Sequence, residues 1–314
     1  MNGPFVTLIV PTRDRESLLF LTIEKAIEAF DDIPFELIVV NDSSSDLQVP
    51  EQLRKFVRVI RNQGRGVASA RNTGATFASA KWLWFLDDDM WLNVPVVRRM
   101  KSIVEADKEV IYNFNWIYPS YLQAEILKSP FGRFLTSIGF TTMKGWCKGY
   151  SWRDNEVFPA QGLAGATLLI PRSVYTRVNG YDSSFPLAGF EDYDFSQRIF
   201  KSGVPCFIDA TVTAYHNEVN KTVLKGFLKR TYDNAITRAH GVGIGYDDHR
   251  LYFPLLKRVV FTLFTPLEGS LRSVLTYWPN YAFFDPIYYF LCNRLIGFYI
   301  YKGYIAGLAN TNEK

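Results

Sequence analysis

The sequence is poor in cysteine and histidine, the residue types that build most disulfide frameworks and zinc sites. Its three cysteines, Cys147, Cys206 and Cys292, lie far apart, with no CxxC pair and no adjacent histidine. This spacing excludes a disulfide-stapled scaffold and a cysteine-based zinc site, and it favours a reducing compartment. We therefore expect a cytoplasmic protein.

A strong excess of charge of one sign is also missing. The formal net charge is +4, and the basic residues are dispersed along the chain. Because a nucleic-acid-binding protein gathers its basic residues into a patch or stripe, we expect no nucleic-acid partner. Hydrophobic residues make up 48% of the chain, and no repeat or low-complexity tract occurs, which is typical of an ordered globular protein.

Long uninterrupted apolar runs are scarce. The run Phe5–Val10 is too short for the hydrophobic core of a signal peptide and lacks a basic start, so we interpret it as a first strand. Residues 287–308 have the length of a membrane span, but Arg294 near their middle would be costly inside a bilayer. Two interpretations of this region stay open: helices packed on the rest of the protein, or an amphipathic helix touching the membrane surface.

The first half of the chain alternates apolar, strand-like runs with segments of helical periodicity. These elements are predicted at residues 6–10, 17–30, 36–40, 54–60, 67–80 and 81–86. Buried strands separated by helices indicate an α/β fold with a mostly parallel sheet flanked by helices. Right-handed crossovers bring the loops after the strands to one edge, where such sheets bind ligands, and Asp42 and Asp87–Asp89 lie on such loops.

The segment FLDDDMW carries the strongest chemical signal. If it is extended, Asp87 and Asp89 point to one side and Asp88 to the other, because side chains alternate along a strand. Two converging carboxylates suit Mg²⁺ or Mn²⁺, which would also bind a diphosphate. The alternative is a polar turn without a metal.

A second acidic group opens the segment GFEDYDFSQRIFKSG. Glu191 and Asp192 precede a predicted helix, and one of them has an ordinary explanation as an acid favoured at a helix N-terminus. Two carboxylates are more than the capping of this predicted helix needs. A carboxylate held beside a pocket could take the proton from an acceptor hydroxyl as a general base.

Two single residues complete the candidates. Arg71 is the conspicuous charge in a predicted helix of small residues, and it is either a surface arginine or a partner for phosphate or for the neighbouring acids. His216 follows a β-rich run, and it is either an ordinary buried polar residue or a ligand that completes a metal site.

Five segments in a fixed order resemble family 2 glycosyltransferases of the GT-A fold. They are PTRDR, VVNDSSSD, GRGVASARNTG, FLDDD and GFEDYDFSQRIFKSG, and together they cover about residues 5–217. The resemblance implies a Rossmann-like GT-A nucleotide-sugar-binding and catalytic domain over residues 1–225. It implies a helical C-terminal extension over residues 226–314, where the likeness fades.

The resemblance also assigns roles. It implies nucleotide contacts at Thr12 and Asp42, the latter to the base, and at Arg71 in the family's ARN motif. Its DxD motif would make Asp87 and Asp89 the metal and diphosphate residues, with Asp89 the more direct ligand. The remaining assignments are Asp192 as catalytic base, Glu191 supporting it, His216 at the metal or diphosphate, and Gly165 near the acceptor and donor sugar. Asp14 and the segment NGYD depart from the usual pattern without removing a catalytic group.

The implied activity is transfer of a sugar from a nucleotide-diphosphate donor to an acceptor hydroxyl, with inversion and with Mn²⁺ or Mg²⁺ as cofactor. The expected acceptor is a cell-surface glycan or a lipid-linked saccharide, and the expected location is the cytoplasm, peripheral at the inner face of the cell membrane. Two alternatives remain. A nucleotidyltransferase would need a glycine-rich loop after the first strand, where this chain has PTRDR. A non-catalytic nucleotide- or carbohydrate-binding protein would not need Asp192.

Overall fold

The computed structural model describes residues 3–147, 149, 151–185, 187–219 and 222–312. The chain folds into two compact units. The first contains Met1–Pro119, Thr142–Pro186 and Glu191–Asn217, and the second contains Ser120–Thr141, Leu187–Phe190 and Glu218–Lys314. The last segment of the second unit begins close to residue 225, but the division into domains 1–225 and 226–314 stays a prediction.

A single mixed sheet forms the centre of the first unit. Its strands are β1 (Thr7–Thr12), β2 (Glu36–Asn41), β3 (Val57–Arg61), β4 (Trp82–Leu86), β5 (Met90–Trp91), β6 (Ile111–Ile117), β7 (Val157–Pro159), β8 (Thr167–Pro171) and β9 (Cys206–His216). The order is β3-β2-β1-β4-β8-β6-β9-β5, and β7 pairs with β9. The first four strands run parallel, as predicted, whereas β8 runs antiparallel to β4.

Helices account for most of the remaining described structure. They are α1 (Glu16–Phe30), α2 (Glu51–Arg54), α3 (Gly66–Phe77), α4 (Val94–Glu105), α5 (Ser120–Ile126), α6 (Pro130–Ser137), α7 (Met143–Trp146), α8 (Arg172–Arg177), α9 (Glu191–Lys201), α10 (Leu224–Gly243), α11 (Leu255–Phe264), α12 (Glu268–Thr276) and α13 (Asp285–Asn312). Helices α5, α6 and α10–α13 belong to the second unit. The α/β fold with C-terminal helices is confirmed.

The small residues of α3 allow this helix to lie close to the sheet. Ala68 and Ala70 are buried in the same apolar cluster as Ile9 and Val40. At Gly74 an added Cβ would overlap the Ile9 side chain, so the helix can approach β1 only because this residue has no side chain. The same close packing buries Arg71, which stands one helical turn before Gly74, at 3% exposure.

The carboxyl ends of β1, β2 and β4 meet at one edge of the sheet. The amide of Asp42, just after β2, donates to the carbonyl of Thr12 at the end of β1 (2.9 Å). The amide of Asp87, just after β4, donates to the carbonyl of Ala166, which directly precedes β8 (3.3 Å). Since β8 is antiparallel to β4, its start joins the same edge, together with Gly165. The predicted gathering of these loops is confirmed.

The second unit is built around the pair α10 and α13. Apolar side chains from α6, α10, α12 and α13 form its core, among them Phe134, Leu228, Leu275 and Leu295. Near the middle of α13 the guanidinium of Arg294 lies over the Phe290 ring, 4.8 Å from its centroid. Within the described residues, no helix has the length and apolarity needed to cross a membrane.

Candidate active site

The three consecutive aspartates lie in a tight turn between β4 and β5. The amide of Met90 donates to the carbonyl of Asp87 (3.1 Å), which closes the turn. The alternation expected of an extended segment is therefore wrong here, because the backbone reverses direction between the two strands. Asp88 and Asp89 share one partner, and Asp87 faces another.

The shared partner is Arg15, which the sequence reasoning missed. Its guanidinium donates from Nη1 to Asp88 (2.8 Å) and from Nη2 to Asp89 (2.6 Å). The hydroxyl of Thr12 also donates to Asp88 (2.7 Å). Burial and the neighbouring Asp89 charge raise the pKa of Asp88 to about 7, against the opposing effect of Arg15. A signal was available, since Arg15 ends the PTRDR segment at the same sheet edge.

Arg71 is the partner of the other acids. Its guanidinium lies 3.2 Å from Asp87, 3.4 Å from Glu191 and 3.1 Å from Asp192, oxygen to nitrogen. Burial alone would lower the pKa of Arg71, but the surrounding carboxylates, Asp192 foremost, raise it well above its usual value. Arg71 therefore lies buried beside the neighbouring acids and not on the surface, and the nucleotide contact expected of it stays a prediction.

Asp192 and Glu191 begin α9 but differ in access to solvent. The side chain of Asp192 is 26% exposed, whereas that of Glu191 is 2% exposed. One oxygen of Asp192 accepts from the amide of Gly165 (3.1 Å) and from Arg71. Burial raises the pKa of Asp192, with Arg71 acting in the opposite direction and Asp87 adding to the rise. Asp192 is thus a positioned, reachable carboxylate with raised basicity.

His216 ends β9 and lies against Asp89. Its Nε2 is 3.2 Å from an oxygen of Asp89, and both side chains are almost fully buried. The rings of Trp116 and Tyr118 meet the imidazole edge-on, with centroids 4.7 Å and 5.6 Å away. Within the described residues, neither ring nitrogen of His216 forms a hydrogen bond.

These features fit a divalent cation. A buried imidazole without hydrogen bonds beside a buried carboxylate is a costly arrangement, and a metal ion bound to both would relieve it. Glu218 comes two residues after His216 and is also buried, so chain proximity makes it a third candidate ligand. Glu218 is not among the residues predicted from the sequence. Asp87, expected at the metal, contacts Arg71 instead, and its ligand role stays a prediction.

A cavity of about 270 Å³ opens beside the end of β2. Its lining includes Asp42, together with Arg13, Asn41, Ser43, Ser44, Arg61, Asn62, Gly64 and Arg65. The carboxylate of Asp42 accepts from the amide of Gly66 (3.1 Å) and from the Asn62 side chain (2.6 Å). The cavity therefore combines a fixed carboxylate with three guanidinium groups, a set that suits a polar, anionic molecule.

Two sequence families match consecutive parts of the chain. Residues 7–150 match glycosyl transferase family 2, and residues 154–221 match the family described as N-terminal domain of galactosyltransferase. Together these matches include every site residue predicted above.

The curated relatives share only low sequence identity with this chain. A UDP-Glc:alpha-D-GlcNAc-diphosphoundecaprenol beta-1,3-glucosyltransferase, WfgD of Escherichia coli, is 25% identical over 245 residues, which are 74% of this chain and 86% of that protein. Polypeptide N-acetylgalactosaminyltransferase 6 of Bos taurus is 28% identical over 200 residues, 55% of this chain and 31% of that protein. The chain thus spans about a third of the length of this second relative.

Solved structures share the fold. The mannosyltransferase PcManGT from Pyrobaculum calidifontis, solved with GDP-Man and Mn²⁺, superposes with a TM-score of 0.56 at 15% identity, over 99% of this chain and 88% of that one. S. aureus TarS 1-349 gives a TM-score of 0.50 at 14% identity, over 95% and 90% of the two chains. With these matches, the order of the motifs and the sheet topology, the chain is similar to glycosyltransferases of family 2 over residues 7–150 and shares the GT-A fold of the solved structures.

Proposed function

We propose that the chain transfers a sugar from a nucleoside-diphosphate donor to a hydroxyl of a saccharide acceptor, with inversion at the anomeric carbon. The observation that carries this proposal is the position of Asp192. Its carboxylate is partly exposed, has a raised pKa, and is fixed by Arg71 and by the Gly165 amide at the sheet edge where the aspartate turn lies. These are the properties of a general base for a hydroxyl nucleophile.

In the proposed reaction Asp192 accepts the acceptor proton while the acceptor oxygen attacks the anomeric carbon. The new glycosidic bond forms on the face opposite the breaking bond, and the nucleoside diphosphate leaves with the bonding electrons. One displacement of this kind inverts the anomeric configuration. Glu191 is the supporting residue, because its buried carboxylate helps to hold Arg71, which in turn holds Asp192.

We propose Asp89 and His216 as ligands of Mn²⁺ or Mg²⁺, with Asp87 the further predicted ligand. When bound, the ion would neutralise the negative charge that develops on the departing diphosphate. Support comes from the buried contact between Asp89 and His216 and from the unbonded ring nitrogens of His216. The two oxygens of Asp89 would then have different tasks, one toward the ion and one held by Arg15.

The donor nucleotide is proposed to enter the cavity at the end of β2. Asp42 would accept a hydrogen bond from the base, and Thr12 stands at the neighbouring end of β1. Arg71 is assigned a different task from the nucleotide contact expected of it. Since three carboxylates already surround its guanidinium, its charge is compensated inside the protein, and we propose that it positions acids rather than phosphate.

The acceptor is proposed to be a saccharide carried by a lipid at the cytoplasmic face of a membrane. The name of the E. coli relative WfgD gives a sugar linked to diphosphoundecaprenol as the acceptor of that protein. The C-terminal region of this chain is rich in exposed apolar residues with interspersed basic ones, which is compatible with work at a lipid surface.

The test is product analysis. The full chain with Mn²⁺ is incubated with uridine, guanosine and thymidine diphosphate sugars and a lipid-linked monosaccharide acceptor, and release of free nucleoside diphosphate is measured. We expect acceptor-dependent release from one donor, and an NMR time course showing a product of inverted configuration. A product of retained configuration would refute the single displacement. Binding without any turnover would favour the non-catalytic alternative.

A further inference from the structure

Large apolar side chains on the surface are concentrated in one stretch of the second unit. Of the twenty-four exposed large hydrophobic residues in the described chain, fourteen lie between residues 252 and 290. Helix α11 reads LLKRVVFTLF and has no buried residue. Because soluble monomers rarely expose contiguous apolar patches of this kind, the concentration indicates a contact surface.

The exposed residues of α11 form an ordered stripe. Leu256, Val260 and Leu263 are spaced at i, i+4 and i+7 and are 77%, 52% and 70% exposed, so they share one helix face. We call these three residues the apolar stripe. On another side of the helix, Phe261 and Phe264 pack against Phe298 of α13, with ring centroids 5.7 Å and 5.0 Å apart. The helix is therefore held in place by one side while the apolar stripe faces outward.

The charged residues of α11 are of one sign. Lys257 and Arg258 lie on α11, and in the described part of the chain neither has an acidic ion-pair partner. The two acids of residues 252–290 are already engaged, Glu268 with Arg272 (3.3 Å) and Asp285 with Arg133 (2.7 Å). The surface available for contact is thus apolar and cationic, which is complementary to an anionic lipid surface.

Exposed tyrosines accompany this surface. Tyr252, Tyr277 and Tyr281 are 85%, 86% and 69% exposed and belong to the same stretch of the second unit. Tyrosine is enriched where hydrocarbon meets water, because its ring is apolar and its hydroxyl is polar. Together with the absence of a spanning helix among the described residues, this composition favours a helix that lies in the membrane surface over one that crosses it.

We propose that α11 inserts the apolar stripe into the surface of an anionic membrane, with Lys257 and Arg258 reaching the lipid headgroups. This inference rests on the proposed function in one respect: the membrane contact would hold the enzyme beside its lipid-linked acceptor. A second copy of the chain is a poorer occupant. In a two-fold contact through α11, the lysine and arginine of both copies would be brought together without acids to compensate them.

The test is vesicle flotation of the full chain at low and high salt. The probes are vesicles of phosphatidylcholine alone and of phosphatidylcholine with phosphatidylglycerol. We expect flotation with the anionic vesicles that weakens with salt. The double variant Leu256→Ser with Leu263→Ser should lower the partition coefficient at least about tenfold for each leucine, because each loses its apolar burial in the lipid.

Two further variants sharpen the result. Phe56→Ser with Val59→Ser removes two exposed apolar residues of the first unit, 40% and 39% exposed, and should leave flotation unchanged. Lys257→Glu with Arg258→Glu should abolish the preference for anionic vesicles. Flotation that is indifferent to the leucine variant, or a salt-stable dimer that this variant dissociates, would overturn the proposal. Calorimetric binding of the donor nucleotide should persist in all these variants, so a failure of membrane binding is distinguishable from a failure of the transferase assignment.

Discussion

At the scale of single residues, Arg71 is the residue on which the proposed chemistry depends. One buried guanidinium compensates Asp87, Glu191 and Asp192, which would otherwise repel one another at the edge of the sheet. An isolated charge of this kind would be costly to bury, but three carboxylates at hydrogen-bonding distance offset that cost. The same contacts leave Asp192 oriented and partly exposed. The packing of α3, which carries Arg71, therefore determines the position of the proposed general base.

The first prediction concerns Asp192 itself. Asp192→Asn keeps the shape of the side chain but removes its ability to accept a proton, so turnover should fall by about 10²–10⁴-fold. Affinity for the nucleoside diphosphate should change little, because this residue is proposed to act on the acceptor. Glu105→Gln, a change of the same type on the exposed part of α4, should leave turnover unaffected. Equal turnover of the Asp192 variant and the native protein would remove this residue from the mechanism.

A second prediction follows from the raised pKa of Asp192. Only the ionised carboxylate can act as a base, so kcat/KM should rise with pH through the folded-state pKa of this residue. Because burial raises that pKa above the usual aspartate value, the rise should lie at higher pH than for an ordinary aspartate. Whatever activity remains in Asp192→Asn should lack this acidic limb. If kcat/KM of Asp192→Asn still rises with pH over the same range, the titrating group is another residue.

The third prediction concerns Arg71 and stability. Arg71→Met leaves three buried or half-buried carboxylates without their cation and should cost about 3–5 kcal/mol of unfolding free energy near neutral pH. Without the cation, the folded-state pKa of Asp192, which burial already raises, moves further above its unfolded value. The penalty therefore grows as pH rises above the unfolded carboxylate pKa and shrinks in acid.

Urea denaturation at about pH 5 and about pH 8 measures this difference. Arg177→Met is the matched control, because Arg177 pairs with Glu109 on the surface, where both side chains are 48% exposed. Its effect should stay within about 1 kcal/mol. A loss in Arg71→Met that is small, or equal at both pH values, would contradict the compensation described above.

At the scale of elements, the start of β8 and the helix α3 fit each other through a glycine. An added Cβ at Gly165 would overlap the Arg71 guanidinium, and the Gly165 amide donates to Asp192 (3.1 Å). The absence of a side chain here lets the guanidinium lie against the backbone. Gly165→Ala should therefore displace Arg71 and Asp192 together and lower turnover by about 10²-fold, since small misplacements at a reacting centre are costly.

The comparison for this fourth prediction is Gly3→Ala, where an added Cβ meets no atom within 4 Å. Its turnover should match that of the native protein. Circular dichroism of Gly165→Ala should remain native-like, because the displaced group is the end of a side chain. Unchanged turnover in Gly165→Ala would mean that the position of Arg71 does not control Asp192.

The elements also explain where sequence reasoning succeeded and where it failed. Continuous apolar runs predicted β1, β2 and β4 to within a residue or two, because burial on both faces leaves little choice of residue type. The aspartate segment was misjudged because an apolar strand leading into polar residues gives no sign of where the backbone turns. The hydrogen bond from Met90 to Asp87 that closes the turn is a backbone feature without a sequence signature.

At the scale of the whole molecule, the parts of the site that sequence could predict are those that follow strands. Asp42 and Asp87 are found at the sheet edge because topology alone puts strand ends there. Arg15 was missed because its contacts with Asp88 and Asp89 join positions more than seventy residues apart. The segment Ser120–Thr141 was missed as a part of the second unit for the same reason, since long-range packing leaves no periodic trace in the chain.

The most direct test of the proposed transferase is calorimetric titration of uridine, guanosine and thymidine diphosphates into the full chain, with Mn²⁺ and then with EDTA. We predict that one nucleotide binds only with the metal. This binding should be lost in Asp89→Ala and kept in Glu105→Ala, a carboxylate on the exposed part of α4. Binding of no diphosphate under either condition, or equal binding in Asp89→Ala, would contradict a metal-assisted nucleotide-sugar site at this edge of the sheet.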